Sequence, residues 1–126
     1  LSLILVESGI GWVPTMLEHA DDLYLRLRWV YDGHLHRMPS QIYSRHIYNT
    51  FIEDRVGIEN LNRLNKRHLM WSTDYPHTAT TWPNSWVAIE KQFAGVEQDD
   101  VKRILHSNAK ELYRLDNIPD YLEGVH

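Results

Sequence analysis

Short apolar runs alternating with longer amphipathic stretches constrain this chain more than any other feature. Leu1-Ser-Leu-Ile-Leu-Val-Glu7 is almost wholly apolar and ends at Ser8-Gly9-Ile10-Gly11. A strand apolar on both faces suits the centre of a parallel sheet. Ile47-Tyr-Asn-Thr-Phe-Ile52 is rich in β-branched and aromatic residues and reads as a second strand, and His68-Leu-Met-Trp-Ser72 as a third. Between the first two runs, apolar residues recur at Val13, Met16, Leu17, Ala20, Leu23, Tyr24, Leu27, Val30 and Tyr31. Spacings of three and four predict an amphipathic helix of about five turns, with that stripe in the core. Pro14 suits its first turn and Gly33 its end.

The remaining segments continue the alternation. Residues 33–41 read as a loop, with Ser40 capping a short helix to about Arg45. Asp54 can cap a helix carrying Val56, Ile58, Leu61 and Leu64, and Lys66-Arg67 suit its negative C-terminal end. A Thr/Pro-rich loop to Pro83 leads into a helix over 84–94, stopped by Gly95. A last helical stretch carries Val101, Ile104, Leu105, Ala109, Leu112 and Tyr113, with a restart at Asn108. After Leu115 there is no periodicity, so the tail is expected to strap onto the outside. Strands alternating with helices of this length argue for parallel βαβ units. A complete (β/α)8 barrel takes about 250 residues, so these 126 amount to a partial α/β TIM barrel. Residues 1–115 are read as that domain and 116–126 as a C-terminal tail. The chain enters an apolar run at Leu1 with no polar lead-in, and we expect it to be a piece of a longer polypeptide.

Composition removes several classes of function. Thirteen Lys plus Arg against seventeen Asp plus Glu leave a net charge of −4, with no basic run to wrap nucleic acid. The longest apolar run, Leu3 to Val6, is far short of the roughly 18 residues of a membrane helix, and no secretory signal is visible. With no cysteine, disulfides, thiolate metal sites and a Cys nucleophile are all excluded. A soluble, cytoplasmic protein is the default. Eight histidines are many for this length, and imidazole is a common metal ligand.

Asp74 is the leading candidate for chemistry. It lies just past the third strand, at the end where α/β proteins place their ligands. A carboxylate there can bind a metal ion or accept a proton from water. Asp before Tyr75-Pro76 also forms an Asx turn readily, and spacing alone favours that plainer reading. Glu7 is the analogous carboxylate after the first strand, with a solvated charge as its equal alternative. His77 lies within reach of the same pocket, although a loop histidine is commonly just exposed. His34-Leu-His36 is the one His-x-His, a spacing that presents two imidazoles to one ion when extended. Its place in a loop favours two surface histidines instead. Trp12, Trp71, Trp82 and Trp86 flank the same strand ends, where burial of large rings is sufficient reason for them. There is no Gly-rich phosphate loop and no Gly-x-Ser-x-Gly elbow.

Several segments taken together resemble the amidohydrolase-related family, which includes the aminocarboxymuconate-semialdehyde decarboxylase-like enzymes. They are Val6-Glu7-Ser-Gly-Ile-Gly-Trp-Val-Pro14, Met38-Pro-Ser40, Met70-Trp-Ser-Thr-Asp-Tyr-Pro-His77, Thr81-Trp-Pro-Asn-Ser85 and Ile104-Leu-His-Ser-Asn-Ala-Lys-Glu-Leu-Tyr113. Asp74 to His77 is the most specific part. The resemblance implies a (β/α)8 barrel with one or two divalent metals, zinc or manganese, at its C-terminal mouth. It implies that the three strands are the sixth, seventh and eighth, so the chain is the C-terminal part of such a barrel. In the family a His-x-His from the first strand and a His from the fifth bind metal, and an Asp ending the eighth completes the site. Asp74 matches that Asp, as ligand and as acceptor of a proton from the attacking water. Glu7 stands where decarboxylase-like members tend to carry a histidine, which leaves the substrate open.

The expectation is therefore the C-terminal segment of a metal-dependent hydrolase or decarboxylase of a small carboxylated, often aromatic compound. Asp74 is its metal ligand, Glu7 and His77 contact substrate, and the isolated chain is inactive because the family's histidine ligands lie elsewhere. A rival is a non-catalytic half barrel whose open edges are covered by homo-oligomeric association or by the missing N-terminal half. A third idea is a metal site rebuilt from His34, His36 and Asp74.

Overall fold

A computed structural model describes residues 1–30 and 36–119. Three strands, β1 (Leu3–Leu5), β2 (Ile47–Phe51) and β3 (Leu69–Trp71), form one parallel sheet in the order β1-β2-β3. Leu5 pairs with Asn49, and Asn49 with Leu69, so the runs read as strands lie side by side in sequence order. The ladder extends past β3 through the Ser72 amide, which donates to the Phe51 carbonyl at 3.0 Å.

Helices fill the connections. α1 (Val13–Leu27) carries Pro14 in its first turn, where the missing amide costs no helical hydrogen bond. α2 (Pro39–His46) also begins on proline, and the Gln41 side chain accepts from the Met38 amide at 3.0 Å. α3 (Arg55–Glu59) is capped by Asp54, which accepts from the Gly57 amide at 2.8 Å. The helix expected through Leu64 stops at Glu59, because Asn60 leaves the helical region and Leu61–Arg63 continues as a 3-10 turn. α4 (Ser85–Gln92) follows β3. α5 (Gln98–Lys102) runs through a π-helical turn at Arg103–Ser107 into α6 (Asn108–Tyr113), so the restart at Asn108 is a change of winding.

The core lies on one face of the sheet. Phe51 and Leu69 project from neighbouring strands onto Ile10, Ile89, Phe93 and Ile104. Burying a side chain such as Phe51 contributes about 1.5–3 kcal/mol. Asn108 is buried beside them and donates to the carbonyls of Lys66 and Leu69, both at 2.7 Å, tying α6 to the start of β3.

Three sequence expectations change. The stripe along the first helix is not core, since Val13 is the one buried residue of α1 and Leu23 and Leu27 are exposed. The helix also ends at Leu27, short of Val30. β1 is an edge of this sheet rather than its centre, with Leu3 51% and Val6 64% exposed. Its one neighbour in the sheet is β2. No helix among the described residues is long and apolar enough to cross a membrane.

Candidate metal centre

The C-terminal ends of β1 and β3 bring three sequence-predicted residues together. One carboxylate oxygen each from Glu7 and Asp74 and one ring nitrogen of His77 lie within 4.8 Å of one another. Glu7 sits two residues past β1 and Asp74 three past β3. Both have left-handed backbone, φ 55°, which turns the chain sharply as it leaves the sheet.

Local hydrogen bonds explain the turns. The Glu7 amide donates to Thr50 Oγ1 at 2.7 Å, linking the first loop to β2. After β3 the His77 amide donates to the Asp74 carbonyl at 2.8 Å, and the Thr81 amide to the Thr73 carbonyl at 3.2 Å, closing a compact loop. Tyr75 and Trp82 meet edge to face in that loop, with centroids 6.0 Å apart. His77 Nδ1 lies 2.7 Å from Asp74 Oδ1. An ionised carboxylate can only accept, so Nδ1 carries the proton in this contact. The Asp74 side chain is 6% exposed and that of His77 71%, so the carboxylate forms the floor and the ring the rim.

The charges reinforce one another. A hydrogen bond shared with the Asp74 carboxyl, followed by the repulsion of its charge, raises the Glu7 pKa above the ordinary carboxylate range. His77 opposes this with its own charge. The hydrogen bond to Asp74, and then its negative charge, raise the His77 pKa. Two carboxylates and an imidazole form a donor set suited to a divalent cation without thiolates. Ser72, two residues before Asp74 in sequence, has a buried Oγ with no hydrogen-bond partner among the described residues. The residues present therefore fit a metal ion.

Other candidates fall elsewhere. His36 is exposed, and His34 lies outside the described residues, so the rebuilt His34–His36–Asp74 site is not seen to assemble. Trp12 and Trp71 donate to the Ser8 and Ile52 carbonyls, at 2.8 and 2.7 Å. Both rings thus have structural partners.

Sequence reasoning missed two supporting residues. Thr50 was read only as strand, and its contact with Glu7 depends on the register of β1 on β2. Asp54 was read as a helix cap, but its Oδ2 also accepts from the Ile10 and Gly11 amides, at 2.6 and 2.7 Å. It thereby fastens the loop that carries Glu7 to the loop after β2. The crowding is tight, since a Cβ on Gly11 would stand 2.8 Å from Asp54 Oδ1. The glycines after Glu7 were a signal for such close approach, though not for the partner.

The fold is shared with known proteins. The chain is similar in structure to 5-carboxyvanillate decarboxylase from Sphingomonas paucimobilis, with a TM-score of 0.72 and 20% identity over 90% of this chain and 34% of that one. IDCase from Metarhizium anisopliae gives 0.65 and 20%, over 92% of this chain and 34% of that one. A dihydroxybenzoic acid decarboxylase from Polaromonas sp. JS666, with bound manganese and the inhibitor 2-nitroresorcinol, gives 0.67 and 19%, over 100% and 36%. At such identities the likeness shows the fold, and the chain spans about a third of each of these proteins. No protein of curated function matches it. The amidohydrolase family model matches residues 1–115, and the chain belongs to that family.

Proposed function

We propose that this chain is the C-terminal part of a metal-dependent decarboxylase or hydrolase acting on a small carboxylated, aromatic compound. β1, β2 and β3 are then the sixth, seventh and eighth strands of a (β/α)8 barrel, whose other strands lie outside these residues. The observation that carries the reading is the convergence of Glu7, Asp74 and His77 at the C-terminal ends of β1 and β3, where such barrels do their chemistry. Kinship with the amidohydrolases and likeness to three decarboxylases support it.

Asp74 holds the metal, and its buried side chain fixes the carboxylate in place. A divalent ion held there, manganese or zinc, would polarise the substrate and make a bound water more acidic. His77 keeps Asp74 oriented through Nδ1, and its exposed ring contacts the substrate. Glu7, with its raised pKa, carries a proton near that carboxylate more readily than an ordinary glutamate. Tyr75 and Trp82 form the aromatic wall of the loop beside them.

The test is made on the complete polypeptide containing this chain. Carbon dioxide release from 5-carboxyvanillate and from dihydroxybenzoates should depend on added Mn2+ or Zn2+ and fall by at least about a hundredfold in Asp74→Asn. Full activity in that variant would remove Asp74 from the mechanism. The open β1 edge favours a second reading, a non-catalytic half barrel that associates with another chain.

A further inference from the structure

We propose that the chain holds a second binding site, for a small organic acid with an apolar body, in the cavity between α2 and the turns that follow α3. The cavity measures about 480 Å3. Small-molecule sites commonly span about 300–1,000 Å3. Ile47 and Leu69, the first residues of β2 and β3, lie on its wall. The site is therefore toward the N-terminal end of the sheet, opposite the end that carries Glu7 and Asp74. It does not rest on the metal reading above and goes beyond it.

The hollow follows from the way the chain leaves α3. Ile47, Asn49 and Phe51 alternate onto the core face of the sheet, and Leu69 pairs with Asn49 on that face. Around Phe51 the face is covered by Ile10, Ile89, Phe93 and Ile104. Toward Ile47 the cover is thinner, because α3 ends at Glu59 and the chain passes through a 3-10 turn at Leu61–Arg63. Val13, Leu17 and Leu64 complete an apolar floor with Ile47 and Leu69. Tyr43 forms a fixed wall. Its hydroxyl donates to Asn49 Oδ1 at 2.8 Å, and its ring meets Trp12 edge to face with centroids 6.5 Å apart. Asn49 is buried and donates in turn to Ser8 Oγ at 2.9 Å. A wall held before the ligand arrives lowers the cost of binding.

Charge selects the ligand. Arg45 and Arg63 line the same cavity, one from α2 and the other from the turn after α3. Both are exposed, and neither forms an ion pair among the described residues. No Asp or Glu lines the cavity, and none occurs in residues 39–52 or 60–73, in a chain whose net charge is −4. One carboxylate touches the lining from outside, that of Asp21, which accepts from the Ser40 amide at 2.8 Å. An apolar floor below two guanidinium groups suits a ligand whose body lies on the floor and whose carboxylate meets the arginines. β2 is the middle strand, so strands added at the β1 or β3 edge extend the sheet away from this cavity.

The experiment titrates 2-naphthoate into the complete polypeptide containing this chain, by calorimetry, with EDTA present so that no ion at Asp74 holds the probe. One molecule should bind per chain, and 2-naphthalenemethanol, which has the same rings and no charge, should bind at least about tenfold more weakly. Arg45→Gln and Arg63→Gln should each weaken 2-naphthoate at least about threefold, and the two together at least about tenfold. Ser44→Phe puts a ring into the cavity from an exposed position of α2 without changing the charge, and it should abolish binding. Arg55→Gln, at an exposed arginine outside the cavity, should change nothing. Circular dichroism checks the fold of every variant. Absence of binding up to millimolar 2-naphthoate, equal binding of the alcohol, or binding that survives both the double arginine variant and Ser44→Phe overturns the inference. Binding lost in Asp74→Asn but kept in the cavity variants would place the probe at the C-terminal ends of the strands, overturning the inference and leaving the proposed function standing.

Discussion

Glu7 and Asp74 end different strands yet share one backbone conformation, each left-handed with φ 55°. For a residue with a Cβ this region costs about 1–2 kcal/mol, and asparagine tolerates it better than glutamate does. The two acids thus hold positions that local preference disfavours. Glu7→Asn should keep the fold and raise its stability to urea by up to about 1 kcal/mol. A loss of stability would show instead that the exposed Glu7 side chain helps hold the turn.

Asp54 collects three backbone amides, those of Ile10, Gly11 and Gly57. Hydrogen bonds to a charged acceptor contribute about 1.5–3 kcal/mol each, less than additively when shared. Asp54→Ala should lower unfolding free energy by about 3 kcal/mol or more, and Asp54→Asn by roughly half of that, measured by urea denaturation. Nearly unchanged stability in Asp54→Ala would mean that water replaces the carboxylate without loss.

His68 lies flat on Tyr48, with ring centroids 3.9 Å apart, and its Nδ1 meets the Ile47 carbonyl at 3.0 Å. Burial lowers its pKa, nearby His46 adds to the effect, and the hydrogen bond to Ile47 opposes it. The unfolded chain therefore takes up this proton at a higher pH than the folded one. The stability contribution is complete above about pH 6.5 and is lost as pH falls through the lower folded value. Urea midpoints at pH 7.5 and pH 5 should differ less in His68→Gln than in the unaltered protein. An equal difference would assign the acid sensitivity to other histidines.

The exposed edge of β1 makes a prediction about association. Leu3 and Val6 project apolar surface beside unpaired strand amides, a combination that invites another strand. In sedimentation the 126-residue chain should exceed monomer mass, and Leu3→Lys combined with Val6→Lys should return it toward the monomer. A monomer in both cases would leave the edge covered by something other than a second copy.

The sheet was legible because each strand is a short apolar run with helical periodicity on either side, and all three runs form strands. Helix lengths were less legible. Asn60 ends α3 where the apolar spacing continues to Leu64, and the stripe on α1 reads as buried although only Val13 is buried and Leu23, Leu27 and Val30 are exposed. Periodicity reports which face a helix would bury, not whether anything is there to cover it. Asp74 and His77 were visible because both lie in one short loop. Glu7 could be nominated from its place at a strand end, but its meeting with them depends on β1 and β3 flanking β2. The contact of Thr50 with Glu7, and those of Asp54 beyond its helix cap, escape the sequence for the same reason, since side-chain contacts across loops follow register, which composition does not encode.

The bond between Asp54 and the Ile10 amide joins residues 44 positions apart. Such a contact cannot form while β1 and β2 are still separate, because closing so long a loop costs entropy before any contact repays it. Order at the acidic cluster is therefore a late event in the chain's folding. Helices, whose contacts are local, can form before the acidic rim is in place, and the rim loosens when the two loops come apart.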